Sequence, residues 1–212
     1  GGSSGSDTVS YAYATAGETI NLTTGTAIGG DGTDTLTNFD NAVGSSFADT
    51  ITGDSNINSL YGGDGDDTLF GGGGGADFLS GGNGNDVLVF DNLNMILSGG
   101  ADDDTMRISS LSTVDLVALS TSNFSGIETI DMQTDTGANT LNINATDVLS
   151  MSDTIDTLFI TGGSNDVVND STSAGWALQG TATINSINYN IYTMTSATLY
   201  VDQDINQIGL TT

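Results

Sequence analysis

Aspartate recurs at a fixed interval in the middle of this chain, always close to glycine. From Gly44 the sequence divides into units of nine residues, and the sixth residue of most units carries a side-chain oxygen. These sixth residues are Asp49, Asn58, Asp67, Asp77, Asp86 and, after one unit without the motif, Asp104. Side-chain oxygens at a constant spacing can coordinate a hard cation, because carboxylates and carbonyls are the ligands that Ca²⁺ prefers.

Glycine occupies the first, second and fourth positions of the consensus unit GGxGxDxUx. Glycine adopts positive φ angles without steric cost, so these positions can turn tightly and direct their carbonyl oxygens at one point. An apolar residue at the eighth position would point from a short strand into a core. The predicted backbone ligands lie near Gly44, Gly53, Gly62, Gly63, Gly65, Gly72, Gly73, Gly75, Gly81, Gly82, Gly84, Gly99 and Gly100.

Two units make one coil of the expected fold, so one side of the coil recurs every 18 residues. Asp49 and Asp67 are 18 residues apart, Asp67 and Asp86 are 19 apart, and Asp86 and Asp104 are again 18 apart. We assign the extra residue to Gly71, as a bulge that keeps the columns of aspartates aligned. This side of the coil therefore offers three gaps between successive turns.

The opposite side of the coil offers one more gap, between Asn58 and Asp77, because the unit at 90–98 lacks the polar motif. The spacing thus predicts about four Ca²⁺ ions. A possible fifth is predicted near Asp34, which belongs to an earlier copy of the motif that is out of register. Asp102 replaces glycine at the fourth position of the last unit, where it either weakens that site or adds a ligand.

The composition favours a cation as the partner. The chain has 212 residues, with 27 acids, one base (Arg107) and a formal net charge of −26. Such a charge argues against nucleic acid and anionic membranes as partners. The chain contains no cysteine and no histidine, so thiol and Ser-His-Asp chemistry are excluded and no enzymatic function is predicted. No apolar run approaches the length of a membrane span, so no membrane insertion is expected, and we expect a monomer.

The rest of the chain predicts strands. After an opening GGSSGS that we interpret as a linker, alternating residues predict two short strands before the repeats. Beyond the repeats, β-branched and aromatic segments predict further strands, with a hairpin around Asn185-Ser186 and one possible short helix at 145–151.

The predicted fold class is all-β: a parallel β-roll, or calcium-binding β-solenoid, flanked by an N-terminal β segment and a C-terminal β-rich cap. The expected divisions are residues 1–28 for the linker and lead-in strands, 29–107 for the roll and 108–212 for the C-terminal region.

The repeats resemble the RTX (repeats-in-toxin) calcium-binding family of bacterial type I secretion substrates over residues 29–107. The tail segments ATDVLSMSDTIDTLFITGGSNDVV, GWALQG, INYNIYTM and ATLYVDQDI are similar to the C-terminal end of large RTX adhesins. This resemblance implies an extracellular or cell-surface module that folds on calcium, carries an uncleaved C-terminal signal and uses the type I secretion machinery. Within GGSNDVV, Asp166 matches half a repeat and is a further calcium candidate.

A different parent protein is also compatible with these repeats. The chain could be the accessory calcium-binding secretion domain of an extracellular hydrolase, such as a protease or a lipase. A catalytic domain upstream would decide for the hydrolase, and long tandem repeats upstream would decide for the adhesin.

Overall fold

The chain forms two compact units, residues 1–106 and residues 107–212. The computed structural model describes residues 5–91, 95–109, 113–119, 123–133, 137–152, 156–170 and 175–210. Most of the GGSSGS linker and residues 92–94 of the unit at 90–98 lie outside the described residues.

The first unit is built from short strands. They are β1 (Thr8–Ser10), β2 (Glu18–Asn21), β3 (Thr26–Gly29), β4 (Gly32–Thr35), β5 (Asn41–Val43), β6 (Thr50–Thr52), β7 (Ser59–Asp64), β8 (Thr68–Phe70), β9 (Phe78–Asn83), β10 (Val87–Phe90), β11 (Ile96–Ala101) and β12 (Thr105–Ile108), which crosses the boundary between the units. From β5 onward the chain alternates between two sheets: β5, β7, β9 and β11 lie in one, and β6, β8 and β10 in the other. Each strand pairs in parallel with the next strand of its sheet, so the path is a β-roll.

Apolar eighth-position residues from both sheets form the core of the roll. In one sheet Ile51 pairs with Leu69, and Leu69 with Leu88. In the other sheet Leu60 pairs with Leu79. All five side chains are fully buried. Burial of each such side chain contributes about 2 kcal/mol, so the core of each coil is small.

The N-terminal end of the roll is capped by a mixed arrangement. β1 pairs in parallel with β5, and β2 pairs in parallel with β6. β2, β3 and β4 then pair with one another in antiparallel order. The out-of-register copy of the motif at 29–37 therefore contributes to an antiparallel hairpin and not to a parallel coil.

The second unit is also coiled. Its elements are β13 (Thr113–Asp115), β14 (Phe124–Ser125), β15 (Thr129–Asp131), β16 (Thr140–Asn142), α1 (Ala145–Met151), β17 (Thr157–Thr161), β18 (Val167–Asn169), β19 (Ala177–Ile184), β20 (Ile187–Met194), β21 (Ala197–Asp202) and β22 (Asn206–Ile208). One parallel sheet has the order β13-β16-β18-β22, and β15, β17 and β21 form a second parallel set. Thr113 pairs with Thr140 and Thr140 with Val167, so these coils are longer than those of the repeats.

Local predictions for the tail are confirmed. β19 and β20 form an antiparallel hairpin across Asn185 and Ser186, whose φ angles of 50° and 69° are both positive, as a type I′ turn requires. The possible helix is α1, which begins after Asn144; the Asn144 side chain accepts hydrogen bonds from the amides of Thr146 and Asp147.

The fold-class prediction is confirmed: the regular secondary structure is nearly all β, and its parallel sheets are consistent with a β-roll. In the part of the chain that the structure describes, α1 is the sole helix, and no helix is long and apolar enough to cross a bilayer.

Candidate metal centre

The sixth-position side chains form two columns, one along each edge of the roll. In the first column, the backbone amides of Asp49, Asp67 and Asp86 each donate a hydrogen bond to the carboxylate of the next aspartate, at 2.7, 2.8 and 2.8 Å; the last acceptor is Asp104. Each bond ends on the Oδ1 atom of a residue one coil further along the chain. The ladder thus fixes every carboxylate and occupies one of its two oxygens.

The second column has the same ladder. The amide of Asn58 donates to Oδ1 of Asp77 at 2.9 Å. The Asn58 side chain in turn donates from Nδ2 to the carbonyl oxygen of Asp40 at 2.6 Å. The side chains of Asn58 and Asp77 are completely buried.

One oxygen of the Asp49, Asn58, Asp67 and Asp86 side chains faces a cradle that a β-carbon would fill. At Gly62, a β-carbon would lie 2.1 Å from Oδ2 of Asp67 and 2.7 Å from the carbonyl oxygen of Gly81, the first residue of the next turn. The same convergence of two oxygens occurs at three more first-position glycines, Gly44, Gly53 and Gly81, with corresponding distances of 2.0–2.3 Å and 2.3–2.6 Å. Among the described residues, four first-position glycines of the repeats therefore leave room for a cradle in which a side-chain oxygen and a backbone carbonyl converge.

The turns between strands require left-handed backbone. Gly63 and Gly82, at the second position, have φ angles of +125° and +128°, and Gly65 and Gly84, at the fourth, have +107° and +117°. Asp102 takes the fourth position of the last unit at φ +80°. Aspartate tolerates this region better than most residues, so the turn keeps its shape there.

Two of the four cradle oxygens have a hydrogen-bond donor: Oδ2 of Asp49 accepts from the Ser45 amide, and Oδ1 of Asn58 accepts from the Asp54 amide. The cradle oxygens of Asp67 and Asp86 have none. Oδ2 of Asp67, Asp77 and Asp86 is buried and accepts no hydrogen bond, although buried carboxylates are normally satisfied. Burial raises the pKa of Asp67 to about 7 and that of Asp86 to about 6, against a usual 3.8; the amide bonds to Oδ1 lower both, and neighbouring acids raise them. The stacked carboxylates need a positive charge that the chain does not provide at these positions.

The donor set is made of hard oxygens only. Among the residues that the structure describes, no group of three or more acids could hold a metal by side chains alone, so backbone carbonyls must supply most of the ligands. The sole basic residue, Arg107, donates from Nε to Asp131 at 3.1 Å. A few carboxylates with several carbonyls suit Ca²⁺ and not zinc or copper.

The comparison with protein families agrees with this geometry. The family model described as RTX calcium-binding nonapeptide repeat (4 copies) matches residues 43–75 and residues 72–92. The chain carries an RTX repeat region. Repeats of this family bind Ca²⁺, and the family is generally a structural, non-catalytic module. No curated protein matches the chain.

The structure places most of the predicted RTX ligands in the two columns, but not all of them. Asp34 lies exposed on the antiparallel strand β4, where its Oδ2 accepts a hydrogen bond from the Tyr11 hydroxyl at 2.9 Å. The structure therefore does not bring Asp34 to a column, because its copy of the motif pairs as a hairpin. Asp104 is buried in the first column, whereas Asp102 is exposed beside it.

Asp166 in the second unit repeats the bonding of the columns without an open oxygen. Its Oδ1 accepts from the Asn139 amide at 2.9 Å, and its Oδ2 accepts from the Gly163 amide at 2.7 Å. Next to Gly162, the neighbouring atoms are Oδ2 of Asp166 and the side chain of Ile205, with no carbonyl oxygen among the nearest three. This arrangement gives no support to a calcium site at Asp166.

The extra residue of the RTX region is Gly73, not Gly71. The carbonyl of Gly71 faces Gly53, as a first-position residue does, and Gly72 has a left-handed φ of +94° close to Asp54, as a second-position residue does. A β-carbon on Gly73 would have no atom within 4 Å, whereas Gly74 and Gly75 again approach the preceding turn. The bulge at Gly73 therefore points away from the neighbouring coil.

Two acids outside the predicted set of ligands, Glu18 and Asp40, extend the columns toward the N-terminus. The amide of Glu18 donates to Oδ1 of Asp49, so Glu18 stands one place before Asp49 in the first column although it is 31 residues earlier. Asp40 stands before Asn58, 18 residues earlier, and accepts a hydrogen bond from the Asp7 amide at 2.8 Å. The segment FDNAV, with Asp40 and Ala42 at the sixth and eighth positions, was the available signal for Asp40.

Proposed function

We propose that this chain is a non-enzymatic calcium-binding module that folds on extracellular Ca²⁺ and carries the type I secretion signal of a large adhesin. The observation that supports calcium-dependent folding is the row of buried Oδ2 atoms of Asp67, Asp77 and Asp86, which have no hydrogen-bond donor. When bound, Ca²⁺ would supply the positive charge, and these carboxylate oxygens and the first-position carbonyls would hold it. The chain's own contribution is the ladder of amide bonds that holds the carboxylates in line.

The expected free energies are large enough to decide whether the roll folds. An extracellular calcium module has dissociation constants of about 10⁻⁴ M or weaker. At about 1 mM calcium, such a site stabilises the folded state by about 1.4 kcal/mol, and four cradles together by about 6 kcal/mol. Since a whole domain is stable by only about 5–15 kcal/mol, the roll is expected to unfold when calcium is removed.

Circular dichroism of the chain tests this proposal. We expect the strand signal of the roll to be lost in excess chelator and restored at about 1 mM calcium, with magnesium unable to replace it because it demands a smaller octahedral site. A far-ultraviolet spectrum that is the same in chelator and in calcium would refute calcium-dependent folding. Equilibrium dialysis with radioactive calcium would separate that result from a loss of calcium binding.

The secretion part of the proposal rests on the tail segments that are similar to RTX adhesins, and on the acidic, cysteine-free composition. In a cytosol with little calcium the roll would stay unfolded, which suits export as an extended chain. We expect deletion of residues 197–212 to abolish export of the chain by a type I exporter. Export that continues after this deletion would refute a signal at the C-terminal end.

The parent protein is tested separately. Long tandem repeats upstream of the present segment in the complete gene would support an adhesin. A catalytic domain there would refute the adhesin and leave the calcium-binding module in place.

A further inference from the structure

The second column ends differently from the first. In the four cradles, the missing β-carbon of glycine faces a carbonyl oxygen of the next turn. A β-carbon on Gly71 would lie 2.5 Å from Oδ2 of Asp77 and 2.9 Å from the terminal methyl of Met95. Met95 is fully buried and lies 18 residues after Asp77, where the repeat would place the next acid. Asp77 therefore has an open Oδ2, and no carbonyl oxygen is among the three atoms nearest to this position.

A second carboxylate stands beside this gap. Asp91 follows β10 directly, at the second position of the unit at 90–98, where the motif has glycine. Its Oδ1 is buried and has no hydrogen-bond partner, which is also true of Oδ2 of Asp77. Asp91 lies outside the sixth-position columns, so the repeat motif does not account for a buried carboxylate oxygen at this position.

The unit at 90–98, which contains Asp91, stacks on the coil of Asp77: the Ile96 amide donates a hydrogen bond to the carbonyl oxygen of Asp77 at 2.9 Å. Burial raises the pKa of Asp77, and the charge of Asp91 raises it further, with a smaller effect from Asp54. Burial likewise raises the pKa of Asp91. Asp77 is buried and Asp91 is half-buried, and each has a buried oxygen that lacks a donor. Such an arrangement is costly unless a cation or a proton neutralises it.

We propose that Asp77 and Asp91 together hold a further Ca²⁺, outside the nonapeptide motif, at the end of the second column. This inference rests on the proposed calcium-dependent function. A divalent cation matches the two negative charges, and Asp91 replaces the oxygen that the gap loses where Met95 stands. The site also gives a reason for the unit at 90–98 to lose its motif and still coil, with Leu97 in register with Leu79.

Counting bound calcium in matched variants tests the site. In equilibrium dialysis of the full chain at millimolar calcium, Asp91→Asn is expected to bind one ion fewer than the wild type. The control is Asp103→Asn, which removes an exposed acid of the same roll and should leave the count unchanged. Adding Asp91→Asn to Asp77→Asn should remove no further ion, because both oxygens serve the same one.

The outcomes separate this site from the proposed function. If Asp91→Asn binds as many ions as the wild type, the site is refuted. If no variant and no wild-type chain binds calcium, the proposed function fails instead. If Asp91→Asn does not adopt the strand spectrum in calcium, Asp91→Glu is measured instead, because it keeps the charge but moves the carboxylate oxygens. Weaker binding of one ion in Asp91→Glu would support the site. Unchanged binding would refute it.

Discussion

Asp67→Asn should reduce the calcium dependence of the fold and stabilise the calcium-free state. Asp67 is 1% exposed, and burial raises its pKa from 3.8 to about 7. At about 1.4 kcal/mol per pH unit, keeping this carboxylate in the fold at neutral pH costs about 4 kcal/mol. Asparagine carries no charge and avoids this cost, while its Oδ1 can still accept the amide hydrogen bond from Asp49.

The chain already shows that asparagine fits this position. Asn58 accepts from the Asp54 amide at 2.7 Å and donates from Nδ2 to the Asp40 carbonyl at 2.6 Å. In Asp67→Asn, Nδ2 would replace the oxygen that faces the Gly62 cradle, where the carbonyl oxygen of Gly81 also converges and can serve as its acceptor. The calcium-free variant should therefore be more stable than the calcium-free wild type by up to about 4 kcal/mol.

Calcium should then add less stability to the variant. Asp67 borders two gaps, one through Oδ1 and one through Oδ2, so the variant loses up to two sites, worth about 3 kcal/mol at millimolar calcium. The difference in unfolding free energy between calcium and chelator should narrow from about 6 to about 3 kcal/mol.

Denaturant unfolding followed by circular dichroism, in calcium and in chelator, measures this difference. Asp103→Asn is the control, since it makes the same change in net charge at an exposed position. A variant that is less stable than the wild type in chelator would refute the reasoning, because it would show that the buried charge of Asp67 does not oppose folding.

The other predictions concern protons, the cradle and Asp34. The pKa values of Asp67 and Asp86 are raised in the folded state, so the folded state binds protons more tightly than the unfolded state. In chelator, the fold should therefore be most stable below about pH 4 and should lose stability as the pH rises through about 6–7. A denaturation series from pH 4 to pH 8 checks this, and stability that rises with pH would contradict it. Gly62→Ala should remove one ion in equilibrium dialysis and destabilise the calcium-bound fold by roughly 1–3 kcal/mol, because its β-carbon would lie 2.1 Å from the Asp67 carboxylate. The control is Gly73→Asn, whose β-carbon lies in open space and which should keep the ion count. Asp34→Asn should leave the count unchanged, and a lost ion would show that the hairpin contributes a ligand.

The regular part of the roll could be predicted from sequence because two independent patterns agree. Leucine at the eighth position and aspartate at the sixth keep the same spacing, so strand register, core and columns follow from one another. The position of the extra glycine could not be predicted, since five consecutive glycines from Gly71 to Gly75 look identical in sequence. Gly73 is distinguished only by its lack of contact with the preceding turn: a β-carbon there would have no atom within 4 Å.

Insertions explain what the spacing missed at the N-terminal end. Glu18 stands next to Asp49 in the first column, yet 31 residues separate them instead of 18. The chain between them includes the hairpin of β3 and β4, which pairs with β2 beside the coil. A search at constant spacing therefore passes over Glu18. The local motif selects Asp34 instead, although its strand pairs in antiparallel order.

The tail shows why local alternation does not reveal long coils. Alternating residues predict a strand but do not distinguish parallel from antiparallel partners, and the second unit pairs strands 27 residues apart without the glycine motif. The hairpin of β19 and β20 was predictable because its turn is local. The parallel sheets of the tail were not, because their partners are set by the path of the intervening loops.

Each unit contains buried aspartates with similar hydrogen bonds, but the second oxygen of the carboxylate is satisfied differently in the two units. This difference indicates which unit depends on calcium. In both, an amide from the neighbouring coil donates to Oδ1, to Asp67 from Asp49 and to Asp166 from Asn139. The Oδ2 of Asp166 then receives the Gly163 amide, whereas the Oδ2 of Asp67 has no donor. Where the turn supplies an N–H, the Oδ2 atom of the carboxylate receives a hydrogen bond from the protein itself. Where a turn of left-handed glycines supplies carbonyls instead, Oδ2 has no donor and can bind a cation. Calcium dependence should therefore arise in the first unit, because only there do carbonyls converge on open carboxylate oxygens among the described residues.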